Sequence, residues 1–328
     1  STLQGTANTL NNSGALTVAD GATVADAGAI NNLGIGTMTF SGDAVLNSDT
    51  DSSGAEIITN DGTFNVNAGA GTLTQTVAVG ADALTNQGGG TIMVSSGTLN
   101  GITTLTNSSS SGSAIIVASG ATLGFTTLAS SAGIMTSHGT LDGNVALTGT
   151  TGLDLNNGTI TGTLDNQSST VLYLDGTVTG LFSQSNALSS ATVDGVSSFT
   201  AGMDIDNGAL TIASATTADI DVAAAATYDQ NAAVTGNVTT ASANADIGAN
   251  ITGTLTQTAG QTNIDGASTI SGLVSITGGT LDIDASTTAT TGITVAAGAT
   301  VNVAASQVLT AGTITNSGTL ALAANSTL

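Results

Sequence analysis

The chain contains no lysine and no arginine against 22 aspartates and glutamates, giving a formal net charge of −22. Nucleic-acid binding rests on cations that neutralise phosphates, so that function class is excluded. Anionic membrane surfaces and phosphate-bearing ligands are disfavoured for the same reason, and positive partners, divalent cations among them, are favoured. The missing basic residues also remove every cleavage site for trypsin-like proteases, which suits a protein living outside a cell. Cysteine is absent, so there is no disulfide framework, no thiolate nucleophile and no zinc-thiolate site. Proline is absent while glycine numbers 44, a combination that leaves backbone amides free for ladders and supplies many tight turns. Aromatic residues are 2% and tryptophan is missing, so any core is narrow and filled by Val, Ile, Leu, Ala and Thr. No apolar run approaches the roughly 18 residues that span a bilayer, and a soluble chain is expected. The opening Ser1-Thr2-Leu3-Gln4 has no signal-peptide character, and the sequence reads as a mature or excised segment.

What is present is repetition. Gly253, Gly272, Gly292 and Gly312 recur at intervals of 19, 20 and 20. After each comes a short alternating run, such as Leu273-Val274-Ser275-Ile276, then a glycine turn, then a second run such as Leu281-Asp282-Ile283-Asp284. Each cycle reads as strand, turn, strand, turn. A unit this small cannot bury its own apolar side and must stack on its neighbours. The expected fold is therefore all-β, a parallel β-helix (β-solenoid) with about 19–20 residues per coil and roughly 17 coils.

One continuous solenoid is expected over residues 1–328, because no composition shift or linker divides it. Residues 1–96 read as less regular coils: Asn12, Asn32, Asn60, Asn86 and Asn107 recur at intervals of 20, 28, 26 and 21. Inserted residues on some coils account for the excess, as in the loop at 42–56, and a further inserted loop is expected at 107–113. Residues 97–328 are more regular, marked by a short apolar step into glycine, as in Thr140-Leu141-Asp142-Gly143 and Thr269-Ile270-Ser271-Gly272. The Ala-rich segment 213–226 is expected as strand and not helix, since Asp219-Ile220-Asp221-Val222 alternates with period two.

Candidate chemistry is confined to carboxylates. Asp204/Asp206, Asp219/Asp221 and Asp282/Asp284 are i, i+2 pairs that share one face of a strand with the intervening Ile turned inward. Asp265 falls one coil from Asp282 or Asp284, so carboxylates meet up the stack. Hard oxygen ligands in that arrangement make Asp204, Asp206, Asp265, Asp282 and Asp284 the candidate Ca²⁺ ligands; a well-solvated acidic face is the plainer alternative. His138 is the single histidine and lacks the partners for a triad or a two-histidine metal site. No residue set for an enzyme is apparent, and no cofactor besides Ca²⁺ is expected. Thr-x-Thr elements at Thr37/Thr39, Thr74/Thr76, Thr256/Thr258 and Thr313/Thr315 would suggest ice binding if they recurred once per coil. These do not recur once per coil, so stabilising β-branched Thr ladders are expected. Sequons at Asn11, Asn107, Asn166, Asn237, Asn250 and Asn325 are expected from composition alone.

The phrases Asn12-Ser13-Gly14-Ala15-Leu16-Thr17-Val18 and Asn316-Ser317-Gly318-Thr319-Leu320-Ala321-Leu322, with Gly-Ala-Thr-Val/Leu at 21–24, 120–123 and 298–301, resemble repetitive bacterial surface proteins. The similar families are autotransporter passenger domains and filamentous-haemagglutinin-like adhesins. That resemblance implies a right-handed parallel β-helix exported to the cell surface. The expectation is a non-enzymatic extracellular structural protein whose uncapped terminal coils pair head to tail with other copies into a filament, sheath or matrix fibre. The alternative is an adhesin stalk or passenger domain whose inserted loops meet a glycan or protein receptor.

Overall fold

The computed structural model describes residues 2–47, 57–67, 76–79 and 83–328, with side chains at 9–24, 29–46, 57–67 and 83–328. Every regular element among them is β-strand, and every ladder is parallel; the chain is a β-solenoid of about 15 turns. The turns are fewer than the glycine count suggests because several of the first coils are long: Asn32 pairs with Asn60 and Asn60 with Asn86, sequence separations of 28 and 26. Two compact units divide the chain, Ser1–Thr170 and Val171–Leu328.

In the second unit the coil is a triangle. Ile251–Thr252, Leu255–Gln257 and Gln261–Ile264 form one turn, and Ser268–Ile270, Leu273–Ile276 and Thr280–Ile283 the next. Leu255 thus stands beside Val274, and Thr262 beside Leu281, each pair one coil apart in the sequence. The third strand is the correction to a two-strand cycle. It is the short apolar step before each glycine, too brief to show periodicity by itself. The glycine after it marks a corner where coils approach at backbone distance: Gly272 N–H donates to Gly253 C=O at 2.7 Å, and a Cβ on Gly272 would collide with that carbonyl. In segment 213–226 the regular structure is strand, Thr216–Thr217 and the first part of Ile220–Gln230, and not helix.

Alternation fills the interior. Val274 and Ile276, Leu281 and Ile283, and Val301 and Val303 point inward and are buried, each contributing about 1.5–3 kcal/mol of transfer free energy. Four of the seven aromatic rings pack in pairs, Phe182 against Phe199 at 5.9 Å and, in the first unit, Phe40 against Phe64 at 4.9 Å.

The first unit carries a buried asparagine ladder. Asn12, Asn32, Asn60, Asn86 and Asn107 take one inward position on successive coils. Each Nδ2 donates to the next Oδ1: 2.8 Å from Asn12 to Asn32, Asn32 to Asn60 and Asn60 to Asn86, and 2.9 Å from Asn86 to Asn107. The other amide proton reaches corner carbonyls, Thr37, Thr63, Thr91 and Ala114 respectively. Asn107 passes the chain to the Ser130 hydroxyl at 2.8 Å, and Leu147 takes the next register position. A carboxamide offers donor and acceptor together, so it is self-complementary at the coil spacing; a carboxylate would repel its neighbour and an aliphatic would orphan the corner carbonyls. In the second unit glutamine serves corners singly: Gln184 Nε2 donates to Asn207 and Ala209 carbonyls, both at 3.1 Å, and Gln257 Nε2 to Thr280 at 2.7 Å.

Truncating the middle of the ladder, Asn60→Ala, orphans the Asn32 donor, the Asn86 acceptor and the Thr91 carbonyl. The expected cost is about 2–4 kcal/mol in denaturant unfolding, whereas Asn31→Ala on the outer face stays within about 0.5 kcal/mol. Equal effects at the two positions would contradict this account of the ladder.

Candidate functional site

The carboxylates lie where alternation puts them. Ile205, Ile220 and Ile283 are buried, and Asp204/Asp206, Asp219/Asp221 and Asp282/Asp284 flank them on the outer surface. The parallel register then stacks Asp204 on Asp221 and Asp229 on Asp246, with neighbouring strands about 4.8 Å apart. Ile264 pairs with Ile283, so Asp265 stands one coil from Asp284, while Asp282 stands on Asn263.

Around Asp204 the surface forms a cleft of ≈ 400 Å³ lined by Met203, Asp204, Asp219, Asp221, Asn237 and Thr239 among others. Asp219 is committed within it, its Oδ1 accepting the Asn237 backbone N–H at 2.7 Å. Partial burial, and then the charges of Asp206 and Asp221, push the Asp204 carboxyl above its ordinary 3.8. Asp282 is answered from the chain itself: its Oδ1 accepts from Asn302 Nδ2 at 2.7 Å and its Oδ2 from Gln261 Nε2 at 2.8 Å. Amides thus stand where the sequence leads one to expect a cation. The five candidate ligands are not brought together: Asp204 and Asp206 share one coil and Asp265, Asp282 and Asp284 belong to later ones. Among the described residues no three His, Cys, Asp or Glu side chains converge as a metal site.

The remaining candidates separate by exposure. His138 is exposed on a turn, its backbone N–H donating to Val117 C=O at 2.8 Å. Of the sequons, Asn107 and Asn166 are fully buried and closed to glycosylation, while Asn11, Asn237, Asn250 and Asn325 are accessible to differing degrees. The 107–113 insertion is laced onto the coil below it: the buried Ser109 Oγ donates to Gly90 C=O at 2.7 Å and Ser110 Oγ to Gly88 C=O at 3.0 Å. Residues 48–56 of the other insertion, and Thr74, lie outside the described residues.

The Thr-x-Thr pairs do not recur once per coil, but a single hydroxyl column does form. Register places Thr239, Thr256, Ser275, Thr294 and Thr315 one above another at the outward middle position of five consecutive coils. A hydroxyl therefore recurs once per coil there. Sequence spacing hides this because coil length varies, the step being 17 from Thr239 to Thr256 and 21 from Thr294 to Thr315. The asparagine ladder is hidden differently: its intervals are legible, but not that those side chains turn inward and bond one another.

The raised Asp204 carboxyl gives a pH dependence. An aspartate raised in the folded state binds protons more readily than the unfolded chain, so its destabilisation is full above the folded pKa and relieved as pH falls toward the unfolded value. The melting temperature at low salt is expected to rise as pH falls through the raised Asp204 carboxyl pKa toward its ordinary value, and Asp204→Asn to raise it at neutral pH while flattening the rise. A melting temperature that falls on acidification, or is indifferent to Asp204→Asn, would contradict this.

Comparison with known proteins leaves this geometry to speak for itself: no family model matches the chain, and no curated protein or solved structure matches it.

Proposed function

We propose that the chain is a non-enzymatic structural protein of the cell exterior, a β-solenoid that extends end to end with other copies into a filament, sheath or matrix fibre. The observation that supports this is the uniformity of the coil-to-coil joint. From Leu255 through Leu322 the second and third strands of every coil meet the next in parallel register without a bulge. Apart from Gln257 and Thr262 the buried inward residues of these strands are interchangeable aliphatics, so one coil edge is a fit partner for another whichever copy supplies it. Joints between unlike edges do not close into a ring, and they propagate. The exterior setting follows from the absence of basic residues, which denies trypsin-like proteases a cleavage site, and from the acidic surface.

Electron microscopy of the purified chain at neutral pH, over a range of concentrations, tests the reading. Unbranched fibres that lengthen with concentration are expected. Isolated particles at every concentration would overturn it. In that case binding to a glycan array that is lost on deleting 107–113 would establish the adhesin alternative.

A further inference from the structure

The carboxylates of the second unit are not spread evenly. Between Asn231 and Leu328 they number four, Asp246, Asp265, Asp282 and Asp284. Asp246 and Asp282 lie on strands Asn244–Ile247 and Thr280–Ile283, and Asp265 and Asp284 lie in the turns that leave that same face. The five strands of the adjoining face, Val238–Thr240, Leu255–Gln257, Leu273–Ile276, Gly292–Val295 and Ile314–Asn316, carry no charge, the acids Asp221 and Asp204 entering the same column only below Thr239. In a chain of net charge −22 this face is the place where a neutral surface is met without repulsion.

Its outward centre is the column Thr239, Thr256, Ser275, Thr294 and Thr315, in register without a shift. Thr258 and Thr277 extend two of its coils to hydroxyls at i and i+2. Successive coils are about 4.8 Å apart, and outward neighbours along a strand about 6.6 Å. Threonine is β-branched and stiff at χ1, so its methyl and hydroxyl repeat at that spacing in a fixed pose. A second, independent observation concerns where the hydroxyls go. Thr258 Oγ1 and Thr277 Oγ1 turn back to the Thr240 and Gln257 carbonyls at 3.3 and 3.2 Å. Among the described residues, none of the five column hydroxyls has a hydrogen-bond partner in the chain. They are half-buried or exposed, and their bonding capacity is turned outward.

We propose that this face binds crystalline water: it is an ice-binding surface. A rigid, uncharged column of outward hydroxyls, four of the five on threonines that add a methyl, repeats at about 4.8 Å up the stack and holds water in an order that a crystal lattice can continue. The chemistry argues against a crystalline polysaccharide, whose sugar rings are held by aromatic stacking, because no aromatic residue occurs after Tyr228. It is independent of the filament reading, since the face runs along the stack and not across its ends.

The test is ice recrystallisation inhibition by the purified full chain at neutral pH, with an unrelated acidic protein as control. Ice grains are expected to stay several-fold smaller with the chain than with the control. The inhibition is expected to be lost in T256Y/T294Y and in the second outward pair T256K/T294K, and retained in N263Y on the acidic face. Circular dichroism and melting curves establish that the variants remain folded. Grain growth equal to the control would overturn the proposal, as would full inhibition by either folded double variant. So would a face that instead mediates concentration-dependent dimers, or adsorption to cellulose, abolished by the same substitutions with no effect on ice.

Discussion

A buried carboxamide has to find its partners on the coil above and the coil below, and the first unit is organised by that requirement. Asn60 is sealed from solvent and bonds Asn32 on one side and Asn86 on the other. The side chain therefore fixes the register of three coils at once, which the surrounding aliphatics cannot do. Val, Ile and Leu drive the stack to collapse but tolerate sliding; an amide displaced by a single position leaves a donor, an acceptor and a corner carbonyl unmet at once. Glycine completes the corner. A side chain at Gly90 would occupy the space of the Asn60 carbonyl and the Asn86 amide, so ladder and glycine are one device seen from two sides.

Charge is handled by position more than by pairing. With no basic side chain available, carboxylates stacked at the coil spacing are eased in two ways. Where amides alternate with acids, as Asn263, Asp282 and Asn302 do up one column, each carboxylate rests between neutral donors. Where acids stack directly, as Asp204 and Asp221 do, the repulsion remains and adds to partial burial and the Asp206 charge in raising the Asp204 carboxyl pKa. Concentrating the later acids on one face and its turns leaves the adjoining face neutral, and there the surface becomes a regular hydroxyl array.

Much of this was legible in the sequence, because a solenoid repeats its physics. The glycine intervals, the period-two runs and the lack of helical spacing lead to stacked parallel coils of the size observed, and the Ile flanked by Asp at 204–206 and 282–284 is oriented correctly by alternation alone. The losses have physical causes. A strand as brief as Ile251–Thr252 cannot display a period, so the third side of the triangle reads as a turn. Threonine columns are set by register between coils of unequal length, and register is a long-range property. The direction of Asn60 depends on what the amides of the neighbouring coils can offer it, and a count of intervals does not carry that information.

Each coil of the second unit pairs with its immediate predecessor in the sequence, and none of those ladders waits for a distant part of the chain. Contacts so near in sequence close cheaply and can be made one after another. Each new coil can thus be laid on a finished one, so the stack is able to grow in the order of the sequence, one turn at a time.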